Sequence, residues 1–157
     1  ALPICAQHVL LNGEDVSSEI RTPEIAYYAS RVSAVPEVRE FLLNTQRDMA
    51  KNGNILMDGR DIGTVILPDA PVKIFLTASA ESRAERRYKE LAEKGQQVTM
   101  ESVLHDINER DRQDMNRAIA PLRQAEDAVL LDTSALTLEE SIASVLRIIR
   151  EKTEENK

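Results

Sequence analysis

Cysteine is almost absent from this 157-residue chain. The single Cys5 has no partner for an internal disulfide, which excludes a disulfide-stapled scaffold and suits a reducing, cytoplasmic setting. Long apolar runs are missing too. Segments such as Val65-Ile66-Leu67 and Ile74-Phe75-Leu76 stop far short of the ~20 residues that cross a bilayer, so no membrane partner is expected. An excess of positive charge is also lacking: 20 Lys and Arg stand against 27 Asp and Glu, a formal net charge of -7. That balance argues against a general nucleic-acid binder. With 42% hydrophobic residues the chain can still bury one core, and a single domain over 1–157 is expected.

The cations that are present cluster. Arg83, Arg86 and Arg87 form one group, and Arg110, Arg112, Arg117 and Arg123 a second, in an otherwise acidic body. Arginine suits phosphate because its planar fork donates two hydrogen bonds at once. Surface helices laced with Glu–Arg pairs would give the same composition.

Local patterns alternate between strand and helix. Val9-Leu10-Leu11 before Asn12-Gly13 reads as a strand and tight turn. Thr22-Pro23 opens one helix and Pro36 another, the second carrying Val38, Phe41, Leu42 and Met49 on one side. Strands are expected at Ile55–Met57, Val72–Leu76 and Ala128–Leu131. Helices are expected from Ala80 to Lys94, capped by Ser79 and ended by Gly95, from Met100 to near Ala120, and from Thr137 onward. Strands separated by helices of this length predict an α/β fold with a parallel sheet flanked by helices.

The densest chemistry lies in Asp58-Gly59-Arg60-Asp61-Ile62-Gly63-Thr64, directly after an expected strand, where open parallel sheets bind ligands. Arg60 can grip a phosphate, and Asp58 and Asp61 can accept from a sugar, a base amine or metal-bound water. A polar turn with an internal Arg–Asp pair is the competing reading. Arg110, Asp114 and Arg117 fall at i, i+4 and i+7, one face of a helix whose earlier members Val103 and Ile107 are apolar. Such a stripe either enters a cleft or forms a plain salt-bridge ladder. His8 and His105 are isolated from each other and from Cys5, and read as structural or exposed.

Taken together with Asn12-Gly13-Glu14-Asp15-Val16, Ile20-Arg21-Thr22-Pro23-Glu24, Pro36-Glu37-Val38-Arg39, Lys73–Ser79, Arg83–Tyr88, Arg110-Asp111, Ala120-Pro121-Leu122 and Asp132-Thr133-Ser134, the heptad resembles the bacterial-type cytidylate kinase family. The resemblance covers most of the chain and leaves Ala1 to Gln7 unplaced. It implies a P-loop kinase-type parallel sheet, with about 1–52 in the nucleoside-monophosphate-binding region, 53–79 core strands, 80–98 a lid and 99–157 core. It further implies transfer of the terminal phosphoryl group of ATP, with Mg2+, to CMP or dCMP, by an enzyme expected to be a monomer.

The same resemblance assigns roles. Arg60 and Arg117 would grip the CMP phosphate. Ser30, Arg39 and Asp61 would surround the cytosine, whose amine Asp61 can accept and whose ring acceptors Ser30 and Arg39 can satisfy. Arg110 and Asp114 would meet the ribose, with Arg110 keeping Asp114 ionised and oriented. Arg83, Arg86 and Arg87 would stabilise charge from the lid, and Asp58 would hold Mg2+ through water. One family feature is missing from the sequence: none of Gly13, Gly53, Gly59, Gly63 and Gly95 is followed by lysine, so no Gly-rich phosphate loop is present. The expectation is a chain incomplete at its N-terminus that transfers no phosphate by itself, and the alternative is a pyrimidine-nucleotide-binding module without turnover.

Overall fold

The structure, a computed structural model, describes residues 8–51 and 53–155. Ala1 to Gln7, and with them Cys5, lie outside the described residues. The chain forms two compact units, Ala1–Asp48 and Met49–Lys157. No helix among the described residues is long and apolar enough to cross a membrane.

In the first unit, β1 (Leu10–Leu11) and β2 (Glu14–Asp15) form an antiparallel hairpin. Its turn requires positive φ at both central positions, and Asn12 (φ 52°) and Gly13 (φ 89°) provide them. Ser17 Oγ accepts from the Val9 amide and donates to Asp15 Oδ1, fixing the hairpin's exit. A short 3-10 turn, Glu19–Arg21, leads into α1 (Pro23–Val32), whose first turn is capped by Thr22 Oγ1 accepting from the Ile25 amide. Helix α2 runs from Pro36 to Lys51. The apolar side expected on α2 is only weakly covered. Val38 is half-buried, whereas Phe41, Leu42 and Met49 are exposed, because a two-residue hairpin and one short helix offer little surface to pack on.

In the second unit, β3 (Ile74–Thr77) and β4 (Val129–Asp132) pair in parallel, Ile74 opposite Val129 and Thr77 opposite Asp132. Thr133 continues the ladder, its amide and its Oγ1 both donating to the Thr77 carbonyl. The strand expected at 55–57 does not form. A strand exists only with a neighbour to bond to, and Ile55–Met57 has none among the described residues; Leu56 is 89% exposed.

Helix α3 (Ala80–Glu93) begins under Ser79, whose Oγ accepts from the Ser82 amide, and ends before Gly95, which takes the left-handed conformation (φ 73°). Helix α4 (Met100–Asn116) carries a reciprocal cap between Thr99 and Ser102. These two helices pack together through buried Ala84, Leu91 and Val103, with Val98, Leu104 and Ile107 around them. Helix α5 (Leu138–Glu155) starts under Thr137, which exchanges hydrogen bonds with Glu140, lies against β4 and buries Ile148.

Helix α4 is shorter than its pattern predicts. It ends at Asn116 instead of near Ala120, because Arg117 adopts extended backbone (φ -62°, ψ 141°) and the Leu122 amide returns to the Asp114 carbonyl at 2.8 Å. Four residues before Pro121, the chain has already left the helix.

Candidate active site

The heptad forms a tight corner followed by one wide helical turn. The Asp61 carbonyl accepts from Val65 at 2.9 Å, and the Ile62 carbonyl from Leu67 at 2.7 Å. Gly59 lets the corner close tightly: a Cβ there would meet Ile62 Cγ1 at 2.8 Å, so the Ile62 side chain would have to move. Behind the turn, the stem of Lys73 lies against Gly63, while its ammonium donates to the Pro68 carbonyl and to both oxygens of Asp127. Hydrogen bonding by Lys73 holds the Asp127 carboxyl below its ordinary value. Residues 63, 68, 73 and 127 are thus tied into one support.

From this corner two adjacent side chains meet the end of α4. Arg60 Nε donates to Asp114 Oδ2 at 2.8 Å, and Asp61 Oδ1 lies 3.6 Å from Arg117 Nη2. Asp61 and Asp114 are buried, at 6% exposure each, whereas the Arg60 side chain is 41% exposed. The Arg60 contact uses Nε, so its two terminal nitrogens are not occupied by Asp114. Arg117 Nε is held by the Ala120 carbonyl, and its Nη2 is buried without a hydrogen-bond partner. A buried guanidinium nitrogen in that condition marks a place where an acceptor belongs.

The structure therefore brings Arg60, Asp61, Asp114 and Arg117 together, but in pairs that differ from the helical stripe. Arg117 is not on α4, so the i, i+4, i+7 face does not exist. The partner that orients Asp114 is Arg60, 54 residues away, not Arg110, which is exposed and outside the cross-pairing. Asp58 is exposed at the start of the corner.

The arginines of α3 face other partners. Arg83 makes a two-bond contact with Asp111 of α4, at 2.6 and 3.0 Å, and donates from Nε to the Ala78 carbonyl. The Asp111 hydrogen bond raises the pKa of Arg83 above its ordinary value. Arg86 Nη2 donates to the Thr133 and Leu136 carbonyls, tying α3 to the loop after β4. Arg87 pairs with Glu90 on the surface. Asp111 was not marked out by any spacing, since its partner lies on another helix. In the first unit, half-buried Ser30 and Arg39 sit near one corner: the Ser30 carbonyl accepts from Ser33 Oγ, and Arg39 Nη1 donates to the Ser33 carbonyl.

Parallel strands linked through helices, with paired arginines and aspartates gathered between a strand-side turn and a helix end, define an α/β protein whose chemistry suits a small anion. The family model described as "Cytidylate kinase" matches residues 1–151, a span that includes the first seven residues left unplaced by the motifs. The cytidylate kinase of Thermosipho melanesiensis is 56% identical over 142 residues, covering 90% of this chain and 65% of its own length. That of Carboxydothermus hydrogenoformans is 51% identical, covering 94% and 67%, and that of Caldicellulosiruptor saccharolyticus 54% identical, covering 91% and 63%. The chain belongs to the cytidylate kinase family, and its fold is of the P-loop kinase type. It spans about two thirds of the length of these curated relatives.

Proposed function

We propose that this chain supplies the acceptor side of a cytidylate kinase, receiving CMP or dCMP for phosphorylation by ATP to CDP or dCDP. The observation that carries the reading is Arg117 Nη2, buried without a hydrogen-bond partner, with the carboxylate oxygen Asp61 Oδ1 at 3.6 Å. A phosphate oxygen satisfies such a nitrogen with a charge-assisted hydrogen bond, and the terminal nitrogens of Arg60 can grip a second oxygen. An acceptor phosphate fixed this way attacks the transferred phosphoryl group directly, without a covalent enzyme intermediate.

The remaining assignments follow the family resemblance and the chemistry of each group. Asp61 accepts from the cytosine amine, and Arg110 and Asp114 take the ribose hydroxyls. Arg83, Arg86 and Arg87 form the cationic side of the lid. Arg87 is best placed to turn toward a phosphate, because its pair with Glu90 is exposed and weakly held. Kinases that use ATP generally need a divalent metal, and Mg2+ is the ion in this reading. No three metal-ligating side chains cluster among the described residues. One exposed carboxylate, Asp58, is compatible with an ion held mostly by nucleotide phosphates and water, which would neutralise phosphate charge.

Because no glycine in the sequence precedes a lysine, we assign these 157 residues no phosphate cradle and no turnover of their own. Incubation with magnesium, ATP and CMP is expected to yield no CDP above a protein-free blank, and measurable CDP would overturn that part. A competition series decides the base: CMP is expected to displace a bound cytidine nucleotide better than UMP or AMP, and equal displacement by UMP would refute the cytosine assignment.

A further inference from the structure

Ala120 is one of two non-glycine residues with positive φ among the described residues, at 48°, and it precedes Pro121. Asn12, the other, lies in a hairpin turn where such a residue is at home. Alanine has no side-chain group to compensate the left-handed region, and a following proline further restricts the backbone. Strain of this kind persists only where the surroundings enforce it. Two bonds do so here: the Ala120 carbonyl accepts from Arg117 Nε at 2.5 Å, and the Leu122 amide donates to the Asp114 carbonyl at 2.8 Å. The corner thus folds the chain back onto the end of α4 and holds the Arg117 guanidinium through Nε, while Nη2 is left without a hydrogen bond.

We propose that the left-handed Ala120–Pro121 corner is a positioning device that preorganises Arg117 for the ligand's phosphate. The inference rests on the acceptor-phosphate reading and adds a residue that touches no ligand. Its energetic logic is that a guanidinium already held through Nε loses less side-chain freedom when the phosphate arrives. Affinity for a phosphate-bearing ligand should therefore follow how well residue 120 tolerates positive φ, whatever the size of its side chain.

The test is a series at this position, Ala120→Gly, Ala120→Asn and Ala120→Val, with Pro121→Ala as a milder variant should the valine chain fail to fold. Each is titrated with CMP and with cytidine, and the Arg117 Nε–H is followed by its nitrogen-correlated NMR signal without ligand. Gly and Asn accept the left-handed region and are expected to keep CMP affinity and a slowly exchanging Nε–H. Val is expected to weaken CMP roughly tenfold, the scale of one charge-assisted hydrogen bond, with cytidine unchanged and the Nε–H exchanging fast. Pro121→Ala is expected to do the same in smaller measure. Equal losses for CMP and cytidine, or an Nε–H signal indifferent to the substitution, overturns the inference. If the unmodified protein binds CMP no better than cytidine, the acceptor-phosphate reading fails and the inference with it; the ligand-free NMR result shows which of the two failed first.

Discussion

Asp114 is buried near the end of α4, with the exposed guanidinium of Arg60 as its counterpart across the corner at 2.8 Å. Removing the charge without changing the shape, as in Asp114→Asn, is expected to lower unfolding free energy by about 1–2 kcal/mol, less than for a fully buried pair because water can solvate Arg60. Urea denaturation measures this, and a loss below about 0.3 kcal/mol would mean the pair behaves as an ordinary surface contact. The individual residues were legible in the sequence as a dense cluster of Asp, Arg and Gly. Their pairing was not: helical spacing offered Arg110 as the partner of Asp114, and only the fold brings Arg60 there. Arg117 was identified correctly as a residue of the cluster but placed on the wrong element, since the left-handed Ala120 that diverts it carries no mark in an alanine side chain.

The helices follow from their ends. Thr22, Ser79 and Thr137 cap as their types and positions dictate, and Gly95 ends α3 with a conformation that other residues resist. No atom lies within 4 Å of where a Cβ on Gly95 would stand, so Gly95→Ala tests backbone strain alone. A loss of about 1 kcal/mol is expected by thermal or urea unfolding, and no loss would mean that the turn relaxes at negligible cost. Strand 55–57 shows the opposite limit: an apolar triplet before Asp-Gly looks like a strand, but pairing is decided by a neighbour that local sequence does not name.

Acid should weaken α3 and α4 through identifiable carboxylates. Hydrogen bonds from Lys94 and then Arg87 bring Glu90 from 4.5 to about 2, and bonds from Arg112 and then Gln113 bring Glu109 to about 2. Both values lie below those of the unfolded chain, so the charged pairs favour the folded state above about pH 4.5. Their contribution is lost as pH falls toward 2. Thermal midpoints are expected to drop over that interval, with no contribution from these groups between pH 6 and 8. The double variant Glu90→Gln, Glu109→Gln should show a shallower acid decline, and an unchanged slope would assign the decline to other groups.

For the whole molecule, a formal charge of -7 coexists with one buried, incompletely satisfied guanidinium. A negative net charge disfavours large polyanions in general, and the proposed corner is a local cationic exception suited to a small one. A parallel sheet was legible because strand and helix periods alternate along the chain, whereas the packing of α3 on α4 was not, since no local spacing names a partner helix. The family was legible because its motifs recur in order across nearly all of it. The central claim, that the corner between Asp58 and Arg117 receives CMP, is tested most directly by titration calorimetry of the protein with CMP, beside cytidine and the Arg117→Ala variant. Saturable binding of CMP, weaker by roughly tenfold or more for cytidine and for the variant, is the expected result. Equal affinity for CMP and cytidine, or CMP binding untouched by loss of Arg117, would contradict the account.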